Sequence, residues 1–143
     1  MQNIDSILPD PKVRELVQMY IGYTLLPDTR YQVAQLWVGE SAYHMARIVE
    51  AMHGKTVHVS LNDLNRLPES VINATLIIAD DVPDKIDEAR LKNAISGNDV
   101  VVKTNGGNAL VKLTAKWILL SKKMPKAFTK SYLLHRMQVI KFG

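Results

Sequence analysis

The sequence predicts an α/β fold: a parallel sheet covered by helices, with a short N-terminal helical lead-in and one inserted β-hairpin. Three observations predict it. Short apolar runs of strand length, "QLWV" (35–38), "ATLIIAD" (74–80) and "AKWILLS" (115–121), alternate with longer stretches of helical periodicity. These runs are apolar almost throughout rather than every second residue, the mark of strands buried on both faces, as in a parallel sheet. Finally, "NGG" at 105–107 lies between two strand-like runs, and Asn and Gly accept the positive φ that a tight hairpin turn requires.

Each element follows from its residues. Between Lys12 and Leu25, after Pro9 and Pro11, the apolar residues Val13, Leu16, Val17, Tyr20 and Ile21 recur at helical spacing. "QLWV" reads as the first strand, and "SAYHMARIVEAM" behind it as a helix running up to Gly54. "TVHVS" (56–60) is the second strand, "SLNDLNRLPES" a loop with a short helix, and "ATLIIAD" the third strand. "DKIDEARLKNAI" (84–95) is a charged amphipathic helix stopped by Gly97, and "DVVVKTNGGNALVKL" is the hairpin. "AKWILLS" and "MQVIKF" (137–142) supply the last two strands of the sheet, separated by a basic, partly helical segment. This divides the chain into a lead-in over 1–30 and a core over 31–143.

Bulk properties narrow the function classes. At 143 residues one domain is expected, burying roughly 68–70% of its unfolded surface. With no cysteine there are no disulfides and no thiolate metal sites. No apolar run approaches the ~20 residues that span a bilayer, and "MQNIDSILPD" lacks a basic region followed by an apolar core, so no membrane partner and a cytoplasmic location are expected. Residues 1–98 hold 9 Lys and Arg against 13 Asp and Glu, giving −4, whereas 99–143 hold 9 against 1, giving +8. A basic last third is the footprint expected of contact with a polyanion, or else a solvated flank.

"EAMHGKTVHV" (50–59) carries Gly54, Lys55 and Thr56, the triplet that closes a phosphate-binding P-loop. The full pattern needs another glycine five places before the second one, where this chain has Val49, so the triplet reads as a helix exit followed by a strand. Of the histidines His44, His53, His58 and His135, none has an acidic partner at metal-ligand spacing, and no metal site is expected. Ser41 and His44 read as a helix cap and a helix-face residue, not as a nucleophile and its base.

The serial order of these landmarks resembles the superfamily-three helicases, most closely the helicase half of the phage, plasmid and poxvirus-type primase-helicases. The order is strand, glycine, helix, Gly54, strand, an apolar strand ending in Asp80 and Asp81, a helix ending in "SGND", a hairpin, "AKWILLSKKMP" and "HRMQVIKF". "VRELVQMYIGYTLL" is similar to the helix that leads into that family's ATPase core. The resemblance implies an AAA+ type P-loop NTPase-like fold, a ring assembly and translocation along DNA in a replication complex.

Roles carry over position by position. Where the family has its P-loop this chain has "GESAYHMA" (39–46): Gly39 matches the first glycine, while His44, Met45 and Ala46 stand where Gly, Lys and Ser/Thr belong. The missing lysine and hydroxyl remove the phosphate clamp and the Mg²⁺ seat. Lys55, at the far end of the helix and about 15 Å away at 1.5 Å rise per residue, cannot replace Met45. The resemblance places Walker B acids at Asp80 and Asp81, the polar sensor at Lys122 and the arginine finger at Arg136. It places DNA-gripping residues on the hairpin, at Lys103, Asn105 and Lys112 with Lys116 at its base.

The resulting expectation is a helicase-like replication-protein domain of a virus, phage or mobile element. It assembles in a ring with itself or with an active helicase homologue, binds single-stranded DNA through its basic hairpin, and has lost ATP hydrolysis. No cofactor is required, ATP and Mg²⁺ mattering only to a working nucleotide site. The alternatives are an active helicase module with an unorthodox nucleotide site, using Lys122 or Arg47 for phosphate, and a regulatory protein-interaction domain.

Overall fold

The computed structural model describes residues 7–29, 31–126 and 136–142. Helix α1 (Pro11–Thr24) begins where Asp10 caps it, its carboxylate accepting from the Lys12 amide at 2.9 Å, with Pro11 in the first turn where a missing N–H costs nothing. Strand β1 (Ala34–Val38) passes through Gly39 into α2 (Glu40–Ala51), followed by β2 (Thr56–Val59). Two short 3₁₀ turns, Leu61–Asp63 and Glu69–Asn73, lead to β3 (Leu76–Ala79). Helix α3 (Glu88–Ile95), the hairpin strands β4 (Asp99–Thr104) and β5 (Gly107–Lys112), then β6 (Lys116–Ser121) and β7 (Met137–Lys141) complete the order.

Five strands form one parallel sheet in the order β2-β3-β6-β1-β7, while β4 and β5 pair antiparallel as a separate two-stranded sheet. A parallel sheet flanked by helices is consistent with a P-loop-like fold. Alternate residues of the central strands face opposite layers. Trp37, Ile78, Ile118, Leu120 and Ile140 pack against α1 and α2 through Val17, Tyr20, Met45 and Val49. Leu36, Ile77, Trp117 and Leu119 pack against α3, the 3₁₀ turns and the hairpin through Leu91, Leu61, Val71, Val100 and Val102. The apolar runs Leu76–Ala79 of β3 and 117–120 of β6 thus serve two cores at once, each fully buried Leu or Ile contributing about 1.5–3 kcal/mol. Helix α1 is bound into the first layer, the Tyr20 hydroxyl donating to the Trp117 carbonyl and Gln35 Nε2 to the Leu16 carbonyl at 3.4 Å.

Three local expectations change. Helix α3 starts at Glu88 rather than Asp84, because Asp87 accepts from the Arg90 amide and fixes the N-terminus there. Helix α2 ends at Ala51 with a right-handed cap at Met52, so it stops short of Gly54. At the hairpin the positive φ falls on Gly107, at 134°, and not on Asn105 or Gly106. The turn keeps its two central residues at negative φ and passes the reversal to the glycine that opens β5. Among the described residues no helix is long and apolar enough to cross a membrane.

Candidate functional site at the carboxyl edge of the sheet

All five strands run the same way, so their carboxyl ends share one edge, where ligands of open α/β sheets bind. Gly39, Asp80, Asp81 and Lys122 all follow strands at that edge. Between β1 and α2 there is no loop: Gly39 itself caps the helix, with φ 122° and ψ 159°. Its amide donates to the Ser121 carbonyl at 2.8 Å, and the Phe142 carbonyl lies where a Cβ would stand, 2.7 Å away. Phe142 is fixed there by its amide, which donates to the Val38 carbonyl at 2.7 Å, and by its ring against Trp37, centroids 5.3 Å apart. Met45 and Ala46 turn into the core at 8% and 1% exposure, whereas His44 faces solvent. The positions aligned with a phosphate cradle therefore form ordinary helix.

The acids are engaged. Asp81, at φ 50°, accepts from the Tyr43 hydroxyl at 2.6 Å. Burial first, and then the hydrogen bond to this carboxylate, push the Tyr43 phenol above its ordinary range. His58 lies between two acids: Nδ1 is 2.6 Å from Asp80 Oδ2 and Nε2 is 2.7 Å from Glu50 Oε1. A carboxylate only accepts, so both ring nitrogens carry protons when both bonds are made. Burial lowers the His58 pKa, but the bonds and charges of Glu50 and Asp80 outweigh it and the net shift is upward. With Tyr43 and Arg47 these three line a cleft of about 300 Å³.

Sequence reasoning missed the Glu50–His58–Asp80 cluster. The signal was in the β2–β3 register, where His58 pairs with Ile78 and Asp80 follows two places on, on the same face. This donor set does not fit a nucleotide-bound Mg²⁺. Asp80 and Asp81 each have a side-chain partner, Ala46 has no hydroxyl, and among the described residues no group of His, Asp and Glu is arranged to hold a metal ion.

Lys122 is exposed in the bend after β6. Arg136 sits at the opposite edge: it precedes β7, its carbonyl accepts from the Ala34 amide at 2.9 Å, and its buried Nε has no hydrogen-bond partner among the described residues. A five-residue strand is about 16 Å long, so Arg136 and Gly39 of one chain stand apart. His135 lies outside the described residues.

The hairpin keeps only part of its expected set. Lys103 is exposed, one pair from the closing Thr104–Gly107 pair, and Asn105 is in the turn. Lys112 is corrected to the base of the hairpin, opposite Asp99 and ion-paired with it at 3.1 Å. Lys116 leaves the DNA-facing set altogether. It is 2% exposed, and its Nζ donates to the carbonyls of Leu26, Asp28 and Thr114, with the Tyr23 ring 5.4 Å away. The hairpin is moored rather than free-standing, since Val102 is fully buried and Leu67 bonds the outer edge of β4 through Lys103 N at 2.8 Å.

A second histidine makes pH a probe of this architecture. His53 bridges Thr75 Oγ1 at 2.8 Å and Thr24 Oγ1 at 3.1 Å, and burial, then the Lys116 charge, lower its pKa. A lowered histidine stays neutral in the fold while the unfolded chain takes up a proton, so His53 costs stability as pH falls below about 6.5. The raised His58 does the reverse, adding stability that is complete below about 6.5 and lost as pH rises through its folded pKa. Melting curves against pH are expected to show a shallower acid limb for His53→Gln and a shallower alkaline decline for His58→Gln. Unchanged limbs contradict the assignment.

No protein-family model matches the chain, and no curated protein matches it. In fold it is similar to the C-terminal region of NrS-1 in its A form apo structure, with a TM-score of 0.58 and 16% identity. The likeness covers 77% of this chain and 28% of that one, so the chain spans little more than a quarter of its length. At this identity what the two share is the fold.

Proposed function

We propose that this chain is a helicase-like domain of a replication protein, of AAA+ type, that holds single-stranded DNA without hydrolysing ATP. The observation that carries the reading is architectural. The serial order of elements, with a hairpin inserted between α3 and β6, follows the landmark order of the superfamily-three helicases, and the likeness in fold to the NrS-1 C-terminal region supports the reading. Loss of hydrolysis is supported by the ordinary helix at Met45 and Ala46 and by the Phe142 carbonyl over Gly39. Each missing transition-state stabiliser costs on the order of 10²-fold or more in rate. Arg136 at the edge opposite Gly39 suits a role toward a neighbouring subunit in a ring, since it is far from its own chain's carboxyl edge.

The test is ATP turnover with Mg²⁺, with and without single-stranded DNA. No turnover above background is expected, and multiple turnovers abolished by Asp81→Ala contradict the reading. Light scattering on the same sample reports assembly, expected as a species larger than a monomer. One observation favours the protein-interaction alternative: an apolar groove of about 650 Å³ lined by Leu16, Met19, Tyr23, Leu26 and Tyr31, with Met19 66% and Tyr31 63% exposed. A strict monomer that binds no DNA favours that alternative.

A further inference from the structure

Asp80 and Asp81 follow β3 where the helicase resemblance places metal-holding carboxylates, yet each is already held by a side chain of this chain. The holders come from two other elements. Tyr43 and Glu50 are seven residues apart on one face of α2, and His58 is on β2. His58 has an acid on each side, at 2.6 and 2.7 Å, and neither acid can donate to it. We propose that His58, as a protonated side chain, occupies the place of a divalent cation between Glu50 and Asp80. Together with the Tyr43–Asp81 bond it makes this edge a metal-independent clasp fastening α2 to the ends of β2 and β3.

The chemistry of the exchange is simple. Two carboxylates converging on one point need positive charge between them, whether from a hydrated divalent ion or from an imidazolium with two N–H groups aimed oppositely. An imidazolium supplied by the chain needs no ion from solution and is already oriented, so a metal ion gains entry only by displacing it. Arg47, on the same cleft, further opposes a second cation. The ring is 46% exposed, and Glu50 and Asp80 are 34% and 39% exposed, so the cluster is open to small ions in solution and the exclusion is testable directly. The inference rests on these contacts alone and is independent of DNA binding.

The experiment is Mn²⁺ titration of the full chain, read by loss of the free-ion electron paramagnetic resonance signal, with melting temperature measured alongside. The parent protein is expected to show no site-specific binding and no melting shift with Mn²⁺. His58→Ala, which leaves Glu50 and Asp80 facing each other without a cation, is expected to bind Mn²⁺ at least about tenfold more tightly than the parent, a modest Coulomb effect for a partly exposed charge. His58→Lys restores a positive charge and is expected to lose that gain, as is His58→Ala combined with Asp80→Asn. The proposal is overturned if folded His58→Ala binds no more tightly than the parent. It is equally overturned if the parent itself gains melting temperature from Mn²⁺ and Asp80→Asn removes the gain, a result that needs no His58 variant to fold.

Discussion

Lys116→Ala is expected to lower stability by about 3 kcal/mol or more, the cost of leaving buried acceptors unsatisfied. Its ammonium gathers the carbonyls of Leu26, Asp28 and Thr114, so one side chain ties the segment after α1 to the first residue of β6. At 2% exposure little water replaces it. The melting temperature is expected to fall by roughly 10 °C. Lys116→Met, which keeps the length and removes the donor, should lose a comparable amount, separating hydrogen bonding from packing. Single-stranded DNA affinity measured below the lowered melting temperature should keep its salt slope. A stable Lys116→Ala protein with a flattened slope returns Lys116 to the DNA-facing set.

Gly39→Val is expected to be at least as damaging. At φ 122° and ψ 159° the residue lies in backbone space that only glycine occupies freely, and a side chain there costs about 1–3 kcal/mol before any contact is counted. The added Cβ then meets the Phe142 carbonyl oxygen at 2.7 Å, a backbone atom that moves only if the end of β7 moves. Denaturant titration is expected to show a loss of about 3 kcal/mol or more in total. Gly39→Ala should fall between this and the parent. An unaffected Gly39→Ala protein means that Phe142 does not close over the start of α2.

The parallel sheet was legible because buried strands leave a trace: "LIIA" (76–79) and "WILL" (117–120) are apolar on both faces. The absence of a phosphate loop was legible too, since the residues after Gly39 keep helical periodicity from the first turn. Other features needed three dimensions. With a two-residue turn at Asn105 and Gly106, Asp99 must pair with Lys112, so the ion pair at the hairpin base was computable once the turn length was known. The burial of Lys116 was not, because two of its three carbonyl partners, Leu26 and Asp28, lie some ninety residues away in sequence. The Glu50–His58–Asp80 cluster depends on the β2–β3 register, which a single sequence does not print. A lysine opening an apolar strand reads as a surface charge until the fold supplies acceptors for it.

Fluorescence anisotropy of labelled single-stranded DNA against salt, with and without ATP and Mg²⁺, tests the central claim that the chain grips DNA while its nucleotide chemistry is gone. Affinity is expected to fall steeply with salt, with a slope of about −0.7 per phosphate neutralised, and to be the same with nucleotide as without. No aromatic residue lies in 99–116 to stack a base, so oligonucleotides of different composition should behave alike. Lys103→Ala with Asn105→Ala should weaken binding and flatten the slope by roughly one phosphate equivalent. DNA affinity that is insensitive to salt and to the hairpin variant, or that changes when ATP and Mg²⁺ are added, contradicts the account.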